Sequence, residues 1–309
     1  MSAQPIVGAP ASPRAHDVHG AHPRLSMNVA TIKYAPFADS LRVLVEAGYE
    51  SAGLWREPVA EAGLAEAASR LTDSGLRMST LCRQGFFTMP EGPERRASID
   101  ENRRAIEETA ALAAAGAPGS RAVLVLVAGG LPEGSTDLVG ARARVAEALE
   151  ELAPEASAAG VTLAIEPLHP MYASDRAVVS TLKQALDLAE PFAPDAVGVA
   201  VDTFHIWWDP EAVAQIGRAG RDGRIATYQV CDWRTPLAAD PLLSRHQPGD
   251  GVIDFAGFTR AVEASGYTGD VEVEIFNQAV WDAPWSEVAA RTAAAFGSAV
   301  APHLVAPLR

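Results

Sequence analysis

Cysteine is nearly missing from this 309-residue sequence: there are two, Cys82 and Cys231. Their spacing offers no metal-binding pair and their number no disulfide framework, so a reducing compartment, the cytoplasm, is the expectation. Long apolar runs are also missing. None approaches the roughly 20 residues that cross a bilayer, so no membrane partner is expected. The first 24 residues are rich in Pro, Ala, Gly and His and lack the apolar core of a secretory signal. Residues 1–24 are therefore expected to form a flexible tail, with His16, His19 and His22 solvated in it. Positive charge is scarce: 25 Lys and Arg against 39 Asp and Glu leave a formal charge of -14, with no basic cluster of opposite sign. That balance repels phosphate backbones and argues against nucleic acid. No G-x-G-x-x-G follows an early strand, and neither a glycine-rich loop with a following Lys nor a dedicated Arg pair marks a phosphate site. The absence speaks against a dinucleotide and for an unphosphorylated small molecule.

What is present is apolar content, 48% of the chain, in a regular rhythm. Short aliphatic runs alternate with Ala/Leu/Glu-rich segments of helical period, the pattern of repeated β-α units around a parallel sheet. The expected strands are Leu25–Ile32, Ser51–Arg56, Arg77–Arg83, Ala122–Ala128, Val161–Glu166, Val197–Asp202, Ile225–Cys231 and Val271–Phe276. Between them run segments such as "PFADSLRVLVEAGY" and "STLKQALDLAE", several ending at a glycine before the next strand, as a left-handed helix terminus prefers. Eight such units fit a (β/α)8 TIM barrel of ~250 residues better than an open doubly wound sheet. One catalytic domain is expected over residues 25–309.

The last four strands carry a finer alternation. Val161, Leu163 and Ile165 alternate with Thr162, Ala164 and Glu166; Val197, Val199 and Val201 with Gly198, Ala200 and Asp202. Ala226, Tyr228 and Val230 alternate with Thr227 and Gln229, and Val271, Val273 and Ile275 with Glu272 and Glu274. Successive side chains on a strand point to opposite faces, so the aliphatic set can meet the helix layer while the other set faces the barrel interior. Glu166, Asp202, Gln229 and Glu274 then converge near the C-terminal strand ends, where barrel active sites lie. Carboxylates crowded together raise one another's pKa, and a cation relieves the crowding. Three carboxylates and an amide oxygen form an all-oxygen set suited to Mn2+ or Mg2+ rather than zinc. The alternative for each acid is a helix cap, a role Asp often takes.

The motifs "AIEPLHP", "VDTFHIWWDP", "YQVCDW", "GDGVIDF" and "VEVEIF" resemble the xylose-isomerase-like barrel superfamily, the sugar isomerase/epimerase proteins related to ketose 3-epimerases. The resemblance covers Leu25 to the C-terminus and implies one divalent metal on Glu166, Asp202, Gln229 and Glu274. Gln229 departs from the common pattern, in which this ligand is histidine. The resemblance also implies that His205 and an arginine after the seventh strand, Arg234, contact substrate hydroxyls. His169 is a second-shell donor, a proton relay or a turn residue, and His246 a surface histidine in a loop with the composition of a mobile cover. Trp55, Trp207, Trp208, Trp233, Trp281 and Trp285 fall at or after strand ends, where indoles suit stacking on a sugar or an aglycone. Trp55, Trp207 and Trp233, with His169 and Arg234, are the expected substrate contacts; Trp281 and Trp285 serve either the pocket or an interface.

The implied reaction is aldose/ketose isomerisation or epimerisation. A metal polarises the carbonyl, and Glu166 and Glu274, with His205 beside them, move the proton α to it through an enediolate. The alternative on the same site is a lyase that expels an aglycone from a 3-oxo-glycoside, similar to the C-glycoside-deglycosylating relatives. An inactive sugar-binding barrel and a zinc endonuclease are further alternatives, the latter disfavoured by the negative charge. The expected partner is a small sugar or glycoside; a homo-oligomer or a hetero-subunit is left open.

Overall fold

The computed structural model describes residues 20–305. Eight parallel strands close into a barrel: β1 (Leu25–Asn28), β2 (Ser51–Trp55), β3 (Arg77–Gly85), β4 (Val123–Val127), β5 (Thr162–Glu166), β6 (Val197–Asp202), β7 (Ile225–Val230) and β10 (Val271–Val273). Two short strands, β8 (Asp232–Trp233) and β9 (Arg245–His246), form a separate antiparallel pair outside the barrel. Each barrel strand lies between its neighbours in sequence, and β10 closes the ring against β1. The TIM barrel expected from the sequence is the fold observed.

The local chemistry is consistent with this layout. In β4, Val-Leu-Val-Leu-Val is buried along its whole length, as a parallel strand covered on both faces requires. Helix Leu182–Ala189 starts at Thr181, whose side chain accepts from the Gln184 N–H at 3.1 Å, and buries Leu182, Ala185, Leu186 and Ala189 against the barrel. Helix Leu64–Ser74 stops at Gly75, which adopts φ 69°, a left-handed conformation that favours glycine.

Two expected strands are shorter than their aliphatic runs. β1 ends at Asn28 because the Asn28 side chain accepts from the Ala30 N–H at 3.0 Å and turns Val29–Ile32 into a 3-10 helix. β10 pairs only through Val273, so Glu274 sits just past the paired segment. The alternation misplaces one residue. Ala226 does not join Tyr228 in the outer layer but packs with Val123 and Ala164 in a small cluster apart from the main core. The cause is the register shift between β6 and β7 at Val199/Ala200. The tail expectation also changes at its end: His22 is half-buried and its ring lies 5.7 Å from that of Phe296. His16 and His19 lie outside the described residues.

The barrel interior is polar and tied together by Glu272. Its Oε1 accepts from Asn28 Nδ2 at 2.8 Å and Gln229 Nε2 at 2.9 Å; its Oε2 accepts from Ser79 Oγ at 2.6 Å and Thr80 Oγ1 at 2.8 Å. A fully buried carboxylate is costly unless its oxygens are hydrogen-bonded, and here four donors from β1, β3 and β7 do so. Gly53 on β2 completes the fit, because a Cβ there would lie 2.5 Å from the Glu272 carboxyl.

Candidate active site

Glu166 and Asp202 are the last residues of β5 and β6, Gln229 pairs in register with both Asp202 and Glu272, and Glu274 follows β10. The four expected ligands therefore gather at one end of the barrel, all at least nine-tenths buried. Carboxylate oxygens of Glu166 and Asp202 and a ring nitrogen of His205 lie within 4.8 Å of one another. Asp202 does two things at once. Its Oδ1 caps the helix Thr203–Ile206 by accepting from Phe204 N–H at 2.8 Å, while Oδ2 turns to the cluster.

The charge in this cluster is balanced by Arg245, which sequence reasoning did not single out. Its Nη1 lies 3.0 Å from Glu274 Oε2 and 3.3 Å from Asp202 Oδ2, and its guanidinium stacks between Phe204 and Phe276 at 4.6 and 5.0 Å. Arg234, the arginine expected here, is exposed instead. The chain after β7 folds back on itself, pairing Trp233 with Arg245 and Asp232 with His246, so the return strand carries the buried guanidinium. His246 is held in that strand, 3.1 Å from Asn277 Nδ2, rather than free on the surface.

Burial pushes the Glu166 carboxyl well above its usual range, and the neighbouring Asp202 and Glu274 charges push the same way. Burial likewise lifts Glu274 to about 8, against the pull of Arg245. His205 moves in the opposite direction: burial first, then Arg245, hold it well below 6.5, so the imidazole is neutral. A neutral imidazole has one acceptor nitrogen. Nδ1 faces the His169 N–H at 3.2 Å and Nε2 faces Arg245 Nη2 at 2.9 Å, so two donors compete for one acceptor. The Arg245–His205 contact is thus a weak point in an otherwise tight cluster. Cys82 also reaches this space, where burial and then the surrounding carboxylates push its thiol up.

Two groups of side chains have the donors to hold a cation: Glu166, Asp202 and His205, and next to them Cys82, Glu272 and Glu274. The Gln229 amide nitrogen is committed to Glu272, and its oxygen is left buried without a hydrogen-bond partner. Glu274 Oε1 is buried and unpartnered in the same way. Buried acceptors with nothing to accept are uncommon, and in a group of carboxylates they are what a divalent ion would complete.

An inner cavity of about 80 Å³ is lined by Glu166, His205, Arg245, Glu274, Trp55 and Arg83, among others. It adjoins an outer cleft of about 670 Å³ bounded by Tyr34, Glu57, Leu243 and Trp281. Of the expected aromatic contacts, Trp55 lines both spaces. Trp207 and Trp233 do not. Trp233 is buried among Phe204, Trp207 and His169, with ring centroids 4.8, 5.4 and 5.0 Å away, so these rings pack under the rim. His169 caps the turn Pro170–Tyr172, its Nδ1 accepting from Met171 N–H at 3.3 Å, which makes it a turn residue rather than a cavity wall. Trp281 donates its indole N–H to Ala30 O at 2.9 Å and forms part of the cleft.

The closed parallel barrel thus carries three acids and an amide, Glu166, Asp202, Glu274 and Gln229, at or near the ends of β5, β6, β10 and β7. Residues 41–298 match the family described as Xylose isomerase-like TIM barrel, and the chain belongs to that family. A 3-dehydroshikimate dehydratase of Pseudomonas aeruginosa is 34% identical over 158 residues, which are 48% of this chain and 23% of that protein. The chain thus spans less than a quarter of that relative. The inosose isomerase of Bacillus subtilis is 29% identical over 133 residues, 42% of this chain and 45% of the isomerase. Among solved structures, protein SMc04130 from Sinorhizobium meliloti 1021 is 45% identical with a TM-score of 0.85, covering 90% of this chain and 98% of its own. The IOLI protein with a bound zinc atom is 20% identical, with a TM-score of 0.77 over 92% of this chain and 100% of its own. The curated relatives are thus an isomerase and a dehydratase, both enzymes.

Proposed function

We propose that this chain is a metal-dependent isomerase or epimerase that moves a proton α to the carbonyl of a polyhydroxylated substrate. The observation that carries the reading is the buried group of Glu166, Asp202 and His205, with buried, unpartnered oxygens on Gln229 of β7 and on Glu274 just past β10. Glu166, Asp202, Gln229 and Glu274 would hold the ion. When bound, a divalent cation supplies Lewis-acid polarisation of a carbonyl.

The remaining chemistry belongs to the chain. β5 and β10 are separated in the barrel by β6 and β7, so Glu166 and Glu274 reach the inner cavity from different sides. Glu166 and Glu274 are the candidates for general base and acid, one on each side of the bound carbon skeleton. Neutral His205, whose ring nitrogens face the His169 N–H and Arg245, lines the inner cavity beside the two glutamates. Trp55 and Phe276, packed edge-to-face at 5.4 Å, give an apolar wall against the carbon skeleton and limit water. The dehydratase relative favours a second reading, in which the same proton abstraction ends in loss of a β-substituent.

The test is incubation in D2O with ketoses, inososes and 3-oxo-glycosides, with and without Mn2+, followed by NMR. Metal-dependent deuterium at the α carbon of a recovered isomer supports the reading. Release of water or an aglycone without a deuterated isomer replaces it with elimination. Absence of exchange and of release across the panel contradicts both.

A further inference from the structure

Arginine is normally neutralised in this acid-rich chain. Arg56 pairs with Glu101 and Glu108, Arg77 with Glu50 and Asp270, and Arg103 with Asp100, Glu151 and Glu155. Arg83 is different. Among the described residues no carboxylate and no hydrogen-bond acceptor meets its guanidinium, which lies over the faces of Trp55 at 5.6 Å and Phe86 at 5.2 Å. Arg176 is paired only loosely, with two half-exposed acids. Its nearest carboxylates, Asp175 and Asp240, lie at 3.6 and 3.7 Å, beyond hydrogen-bonding distance, and its Nε is buried without a partner.

Both arginines line the inner cavity and the outer cleft, so they stand where one opens into the other. The other residues common to both spaces are Trp55, Leu242 and Phe276, none of them acidic. The acids of the cleft, Glu57, Glu61 and Asp240, belong to its outer part alone. The two arginines therefore stand between the inner acids, which share their space with Arg245, and the acids of the cleft, whose lining also includes Lys33. The rings beside Arg83 offer no acceptor, so its N–H groups are left for a ligand, and their planar fork suits a carboxylate. No arginine pair was apparent in the sequence because these two come from β3 and from the loop after β5, which only the closed barrel brings to one opening.

We propose that the substrate carries a carboxylate, held at this opening by Arg83 and Arg176 while its carbonyl end reaches Glu166 and Glu274. The substrate class is thus a polyhydroxylated oxo acid rather than a neutral sugar. This deepens the reading of the reaction above and rests on it for the carbonyl end, but the anion site can be tested without turnover.

The experiment is calorimetric titration of the purified protein and of Arg83→Met, Arg83→Lys and Arg176→Met with three probes that have no reactive carbonyl: gluconate, neutral sorbitol and sorbitol 6-phosphate. Gluconate should bind the unmodified protein in preference to sorbitol and lose about tenfold or more in affinity in Arg83→Met, the cost of one charged hydrogen-bonded contact. Arg176→Met should weaken it in the same direction. Arg83→Lys should fall between, because it keeps the charge and loses the fork. Melting temperature checks that each variant is folded. Sorbitol binding as tightly as gluconate, gluconate failing to bind at millimolar concentration, or Arg83→Met leaving gluconate affinity unchanged would overturn the proposal. Binding of sorbitol 6-phosphate without gluconate would overturn it in favour of a phosphate. A failed deuterium-exchange assay with intact gluconate binding would instead count against the reaction and leave the anion site standing.

Discussion

At the scale of single residues, Arg245 supplies the positive charge that lets Asp202 and Glu274 share one buried site. Removing one partner of a buried ion pair leaves the other charged and desolvated, a loss of about 3 kcal/mol or more. Arg245→Met should therefore lower the unfolding free energy of metal-free protein, read from urea denaturation, by that amount, and added Mn2+ should recover part of it by taking over the charge. Glu274 titrates in a way that can be read separately. Its folded pKa is raised to about 8, so the native state binds more protons than the unfolded state above the usual carboxylate range. Its contribution is full below about pH 4.5 and is lost as pH rises through 8. His205, held below its ordinary value, contributes stability that is present above about pH 6.5 and lost on acidification. Between pH 6.5 and 8 the raised carboxyls of Glu274, Glu166 and Asp202 all act in the same direction, so metal-free protein should lose stability across that window and Glu274→Gln should reduce the slope without abolishing it. Urea unfolding at several pH values checks both.

At the scale of elements, the returning pair β8–β9 brings Arg245 into the barrel mouth, and Asp232 holds that return in place. Its two oxygens accept from the backbone N–H groups of Trp233, Ile253, Gly249 and Gly251 at 2.7 to 3.1 Å. The "GDGVIDF" motif is thus clamped by the acid of "YQVCDW". Asp232→Ala should cost about 3 kcal/mol, because several donors lose their acceptor together. It should also weaken metal binding, through the loosened Arg245 loop, in a calorimetric titration. This element explains which site residues were legible in the sequence. Period-two alternation fixes the face of a strand residue, and Glu166, Asp202, Gln229 and Glu274 could be placed from it alone. A loop carries no such period. Arg234 and Arg245 both follow β7, and only the antiparallel return shows which one is buried. Trp207 and Trp233 were misread for a related reason: an indole just past a strand end can line a cleft or pack beneath its rim, and composition does not distinguish the two.

At the scale of the molecule, the barrel was readable because eight β-α repeats admit few closed arrangements. The polar floor was not, since Glu272 matches Glu274 in alternation and differs only in its surroundings. Four hydrogen bonds make Glu272 an internal tie, while two residues on, Glu274 keeps one oxygen unpartnered. That division, a satisfied acid below and unsatisfied acceptors above, is the central physical claim about this protein. It is tested most directly by titrating metal-free protein with Mn2+ and counting bound ions by electron paramagnetic resonance. The account predicts one ion per chain, with Gln229→Leu weakening binding by more than about tenfold, since groups that only support a ligand are already worth that much. No binding at millimolar Mn2+, or unchanged affinity in both Gln229→Leu and Asp202→Asn, would contradict it.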